Sequence, residues 1–165
     1  RGGASLMLPG TESIVLRYRG DVPAAVLLPH IMCMFLGLVI GVRAAFGALL
    51  GEPDVTRHIP WLLVFIVPGG LVLGPLVQKF GFGAYWTGWP VGDDLTDTKT
   101  LLSVLCWVAA LLVSRARPRW RRGAVLAAAV VMLAVYLIPH STRGSQLDWN
   151  KLDTVPPLAA PTAKP

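Results

Sequence analysis

The chain has 165 residues, 54% of them hydrophobic and only 15% charged, with a net charge of +6. A soluble domain of this size carries a smaller and more periodic apolar share, so the composition excludes an ordinary water-soluble protein. Nor does the positive balance call for a nucleic-acid partner: Arg115, Arg117, Arg119, Arg121 and Arg122 form one cluster beside an apolar stretch, of the kind that anchors to anionic lipid headgroups.

In chain order, the opening at Arg1 lacks an initiator Met, a charged n-region and an apolar h-region, which predicts that the natural protein extends upstream. Ser5 to Arg19 reads as a β-hairpin: Pro9-Gly10 supplies a turn, and Ile14, Leu16 and Tyr18 alternate with Val15, Arg17 and Arg19. A lone hairpin is barely stable in water, so residues 1–20 are expected to end a larger extracytoplasmic domain or to pair with a partner. Residues 21–140 are expected to form a transmembrane domain, because a helix needs roughly 20 apolar residues to cross the hydrocarbon core. Four stretches come near that length: Val22 to Leu50, Pro60 to Phe80, Thr98 to Ser114 and Gly123 to Ile138. Residues 141–165 close the chain with "VPPLAAPTAKP", a proline-rich run without periodicity that predicts an extended tail. The fold class expected is therefore an all-α membrane protein of four transmembrane helices, with a short β-hairpin on the outer side.

Orientation follows from arginine placement, since basic residues in short loops stay on the cytoplasmic side. The arginine cluster lies between the third and fourth spans, whereas the loop between the second and third sets only Lys79 and Lys99 against Asp93, Asp94 and Asp97. The arginine loop is therefore expected inside and both termini outside. In a bacterium this is the inner (cytoplasmic) membrane, with periplasmic termini.

Within the spans, Gly37 and Gly41 in "GLVIG" and Gly70 and Gly74 in "GLVLG" put small residues four apart, which allows a close helix approach. That face serves either a neighbouring subunit or the packing of the first two helices on each other, and the second use is favoured. Pro68, Gly69, Gly70 and Pro75 predict a kink in the second span. Cys33 and Cys106 read as free thiols inside apolar spans. The sequence has no CxxC, CxxCH, P-loop, dinucleotide fingerprint, GxSxG or HExxH, and so no sign of a familiar enzyme.

His30 follows "LLP" in the first span and His140 follows "LIP" at the end of the fourth, whereas His58 falls on the opposite side. Two inward imidazoles from different helices can hold haem b. Yet with a helix start at Val22, His30 lies ~12 Å below that start at 1.5 Å per residue, and His140 lies at the boundary. Only a start at Pro29 would level them. The reading preferred is a histidine hydrogen-bonded within its own end of the bundle, without a cofactor; haem b, a quinone or a bound cation are the alternatives.

Between the second and third spans, "FGFGAYWTGWPVGDDLTDTKT" places Tyr85, Trp86 and Trp89 where amphipathic rings sit at the headgroup level and also anchor partners. Its acidic half offers a helix cap at Thr96 or Asp97, and Asp93, Asp94 and Asp97 could alternatively hold a hard cation. "GPLVQKFGFGAYWTGWPVGDDLTDTKT" resembles a group of poorly characterised bacterial membrane proteins with a "QKxxFGAYWTGWPxGxDLTDNKT"-like signature, a "VPxxxLxPHxxxMF"-like first span and an upstream β-rich extracytoplasmic region. The likeness covers much of Gly20 to Leu102, with Thr98 where asparagine is usual. It implies a membrane topology and no particular chemistry.

The function expected is that of a non-catalytic accessory subunit. It would pack among other integral membrane subunits and lipids in a respiratory or photosynthetic complex. The alternative is a redox subunit holding haem b or quinone through His30 and His140. Transport fits poorly, because the spans carry almost no polar residues apart from His30 and Arg43.

Overall fold

The computed structural model describes residues 20–92 and 94–138. The expected hairpin, the tail, Asp93 and His140 lie outside the described residues. Among the described residues there is no strand, and four helices are long and apolar enough to cross a membrane.

The first, α1 (Ala24–Leu50), contains Pro29 rather than starting at it, and ends where Gly51 takes a left-handed φ of 79° and returns its N–H to Gly47 O. The second span is longer than Pro60 to Phe80. It rises through α2 (His58–Val67), a π-helical segment (Pro68–Leu73) and α3 (Gly74–Phe82). Proline explains why the expected distortion takes this form: Pro75 has no N–H to give, and the helix widens by one residue just before it, so that Gly74 N–H bonds to Gly69 O. The third span, α4 (Leu95–Ala116), begins three residues earlier than Thr98. A short 3₁₀ turn at Pro118–Trp120 leads to α5 (Arg121–Leu137), which starts inside the arginine cluster.

The helices close into a bundle in which α1 packs on α2 and α5, and α4 packs on α5 and α2. Its core is built from Ile59, Leu62 and Ile66 of α2, Val104 and Trp107 of α4, Val125 and Met132 of α5, and small residues of α1 such as Ala44. The outward residues are equally apolar: Phe35, Val39, Trp61, Leu105 and Val130 are all exposed. An apolar exterior suits a bundle whose solvent is lipid, where helices satisfy their own backbone groups.

Hydrogen bonds tie the two ends. At one, Arg122 donates to Gly51 O at 2.7 Å. At the other, Lys99 Nζ donates to Ile138 O at 2.7 Å and Gly20 N–H to Gly81 O at 2.9 Å. The arginine loop and the Gly83–Asp94 connection thus occupy opposite ends.

Candidate functional site

The connection after α3 is a knot of hydrogen bonds rather than a loose interfacial turn. Gly83 opens it with a φ of 86°, a left-handed conformation that favours glycine, and Lys79 Nζ donates to the Gly83 carbonyl at 2.8 Å. The chain then folds back over the first turn of α4. Asp97 Oδ2 accepts from the backbone N–H of Thr87 at 2.7 Å and of Gly88 at 3.2 Å. Thr87 Oγ1 accepts from Gln78 Nε2 at 2.6 Å and donates to Asp94 Oδ2 at 2.9 Å. Trp89 N–H donates to Thr98 Oγ1 at 2.9 Å, and that hydroxyl in turn donates to Asp94 O at 2.7 Å. Gly88 must be glycine here, because a Cβ would press on Asp97 and come within 2.8 Å of Thr98 N.

The cap differs from expectation. Neither Thr96 nor Asp97 starts α4: Asp94 does, its Oδ1 accepting the Thr96 N–H at 2.7 Å. Asp94 holds the correct spacing to reach the orphan amide two residues on, while Asp97 is needed to bind the knot. The acidic residues are thus employed as acceptors for backbone and hydroxyl groups. No group of three or more histidine, cysteine or acidic residues suited to a metal ion occurs among the described residues.

Beneath the knot His30 enters from α1. It lies six residues inside the helix, ~9 Å along its axis, and its Nδ1 is 2.8 Å from Gly69 O. A carbonyl only accepts, so Nδ1 carries the proton, and in the neutral ring Nε2 presents a lone pair. The π segment makes this contact available, since Gly69 O also accepts the longer bond from Gly74. Glycine is needed for the approach, for a side chain at Gly69 would meet Cys33 Cβ at 2.7 Å and Met34 Sδ at 3.3 Å.

His30, Gln78, Asp97 and Thr100 line one cavity of about 100 Å³, walled by Met34, Val77 and Phe82 and floored by Gly70 and Gly74. Gln78 and Asp97 are buried. Asp97 forms no ion pair among the described residues, where Arg43 with Glu52 makes the one bridge. Intramembrane polar groups around a cavity are candidates for function.

The other sequence candidates fall in two groups. Gly37 faces Ile66, Gly41 faces Met132 and Leu62, Gly70 faces Thr100 and Met34, and Gly74 faces His30. All four are engaged by helices of this same chain. Tyr85 and Trp89 are 56% and 64% exposed, Tyr85 lying under the Lys79 ammonium at 5.2 Å. Trp86 is different, for its indole N–H donates to Gly88 O at 3.0 Å and so braces the knot. Cys33 and Cys106 are half-buried free thiols. His58 Nδ1 contacts Val55 O at 3.3 Å at the arginine end, far from the cavity.

Sequence reasoning missed Gln78, Thr87, Thr100 and the Gly69 carbonyl. Gln78 had a visible signal, an amide near the end of an apolar span; Thr87 had none, since its role depends on the turn that brings it under Asp97. Comparison with protein families, curated proteins and solved structures finds no match to this chain.

Proposed function

We propose that the chain is a non-catalytic integral membrane subunit that packs in a larger membrane assembly and presents the knot as its docking face. The observation that carries this reading is the contrast inside the knot: Thr87, Asp94 and Thr98 bond to one another and to the backbone, while Tyr85 and Trp89 stay exposed. Fixed aromatic rings lose little entropy on binding and are the residue types that anchor interfaces. The arginine end is cytoplasmic by the loop-charge rule, which sets the knot and its partner on the outer side. A respiratory or photosynthetic complex of the bacterial inner membrane remains the assembly proposed.

Tyr85→Ala with Trp89→Ala in the native membrane tests it. The pair should release the chain from its complex on a native gel in mild detergent, with the bundle itself unchanged. Undiminished co-migration would refute docking through these rings. Orientation has its own test: a membrane-impermeant thiol reagent should label a cysteine at Gly92 and spare one at Ala116 in intact cells, in a background lacking Cys33 and Cys106.

One observation favours a second reading, a cofactor-holding subunit: His30 Nε2 has no hydrogen-bond partner among the described residues. The adjacent cavity, at about 100 Å³, is far smaller than a porphyrin, so haem b on His30 would need the helices to part. A Soret band that co-purifies with the chain and is lost in His30→Ala would establish it.

A further inference from the structure

The cavity beneath the knot has a directional chemistry. Its donors are largely spent on the protein: His30 Nδ1–H on Gly69 O, a Gln78 amide proton on Thr87 Oγ1, and the Thr100 hydroxyl on Thr96 O at 3.0 Å. Gln78 also turns its amide toward Asp97, which leaves the Thr96 hydroxyl as the donor left over among the described residues. The acceptors are in surplus, with the His30 Nε2 lone pair, the Asp97 carboxylate and the Thr100 oxygen around one space. Asp97 is only 6% exposed and has no counter-cation among the described residues. Its Oδ2 accepts from two backbone amides, which leaves Oδ1 as the oxygen not bound into the knot. Donors already meet one oxygen of this buried acid, and a cation in the cavity would offset the charge that an apolar bundle disfavours.

We infer that this cavity binds a primary ammonium group, supplied by an aminoethyl lipid headgroup or by a small free amine. An R–NH₃⁺ group brings three donors and one positive charge, matching His30, Thr100 and Asp97 from α1 and α4. About 100 Å³ admits such a head, while Met34, Val77 and Phe82 give its carbon stem apolar walls. A quaternary ammonium has no N–H for these acceptors, and the cavity offers Phe82 alone instead of an aromatic cage. The site is separate from the exposed rings of the docking face, so either proposal can fail without the other.

The test uses the full chain in detergent with equal amounts of phosphatidylethanolamine and phosphatidylcholine, retained lipid being read by native mass spectrometry. Retention should favour the ethanolamine lipid by about tenfold or more, as expected for a buried charge-assisted contact. Asp97→Asn should abolish the preference. Because Asp97 also secures the knot, Gly74→Leu provides the independent variant: Gly74 lines the cavity, and a Cβ there meets Gly69 O at 3.6 Å and His30 Cε1 at 3.8 Å rather than a group of the knot. If Asp97→Asn does not fold, Gly74→Leu decides. Displacement of the lipid by free ethanolammonium identifies a small amine as a competent source, and resistance to it identifies the lipid. Equal retention of the two lipids, a preference that survives Gly74→Leu, or occupation of the cavity by a hydroquinone in place of any amine would overturn the inference.

Discussion

The two ends of the bundle are built on opposite principles. At the arginine end Arg115, Arg117 and Arg119 are exposed, and what contacts there are consist of single reaches such as Arg122 to Gly51 O and Arg43 to Glu52 at 2.8 Å. At the knot end Asp94 and Asp97 are buried, and each holds backbone or hydroxyl partners. Charge that sets orientation needs only to stay in water, and no fixed geometry. Charge drawn into the bundle must be met by directed donors or it costs several kcal/mol. The arginine end should accordingly tolerate substitution and the knot end should not.

The largest effect is expected where the knot is tightest. Gly88→Val would drive a side chain into Asp97 and the Thr98 amide, an overpacking of backbone that costs roughly 3 kcal/mol. Gly123→Ala, at the other end, meets nothing within 4 Å and should be neutral or slightly stabilising through helix propensity. Unfolding by SDS titration in mixed micelles compares them. Equal stability of the two variants would dissolve the contrast between the ends.

Thr87→Val comes next. It keeps the side-chain volume but strands Gln78 Nε2 and removes the hydroxyl from Asp94 Oδ2, for a cost of about 2 kcal/mol. Protease cleavage after Tyr85 or Trp86 should accelerate as the knot opens, with the helices intact by circular dichroism. A variant as resistant as the parent would show that Thr87 is not the keystone.

How much of this was readable beforehand divides along the same line. The spans were legible because hydrophobic length is additive along the chain and needs no tertiary information. The arginine cluster was legible for the same reason. The π segment was half legible: Pro68 and Pro75 foretold a break, but not that Gly69 O would be presented to His30. In the knot, the sequence points to Thr96 or Asp97 as the cap and to Asp93, Asp94 and Asp97 as a cation site, yet which acid caps and which binds Thr87 depends on the turn through Gly88 and Trp89. Contacts between residues nine or ten apart in an irregular loop leave no periodic trace.

A smaller effect separates the knot from the mid-bundle. Ser103 Oγ and Trp107 Nε1, one turn apart on the buried face of α4, have no hydrogen-bond partner among the described residues. Ser103→Ala should therefore leave stability unchanged or raise it by up to about 1 kcal/mol, because an unmet hydroxyl is removed rather than a bond. A loss of stability in the same SDS titration would show that the hydroxyl is engaged in the membrane. The polar design would then extend below the cavity.

The smallest effect belongs to the arginine end and is visible mainly as pH dependence. The hydrogen bond from Arg43 holds the Glu52 carboxyl below its ordinary value of 4.5, outweighing the desolvation that opposes it, and the charges of Arg43, Arg57 and His58 add smaller effects in the same direction. A carboxyl with a lowered pKa in the folded state contributes stability that is fully present above 4.5 and is lost as pH falls through the still lower folded value. Wild type should thus exceed Glu52→Gln slightly and constantly from pH 7 down to about pH 5. The two should converge once the pH falls below the lowered folded value, and equally in high salt, because an exposed pair is screened. Both curves are measured as thermal midpoints in one detergent. A difference that persists at low pH, or that matches the loss caused by Thr87→Val, would mean that the arginine end is held by geometry after all, and would erase the distinction between the two ends.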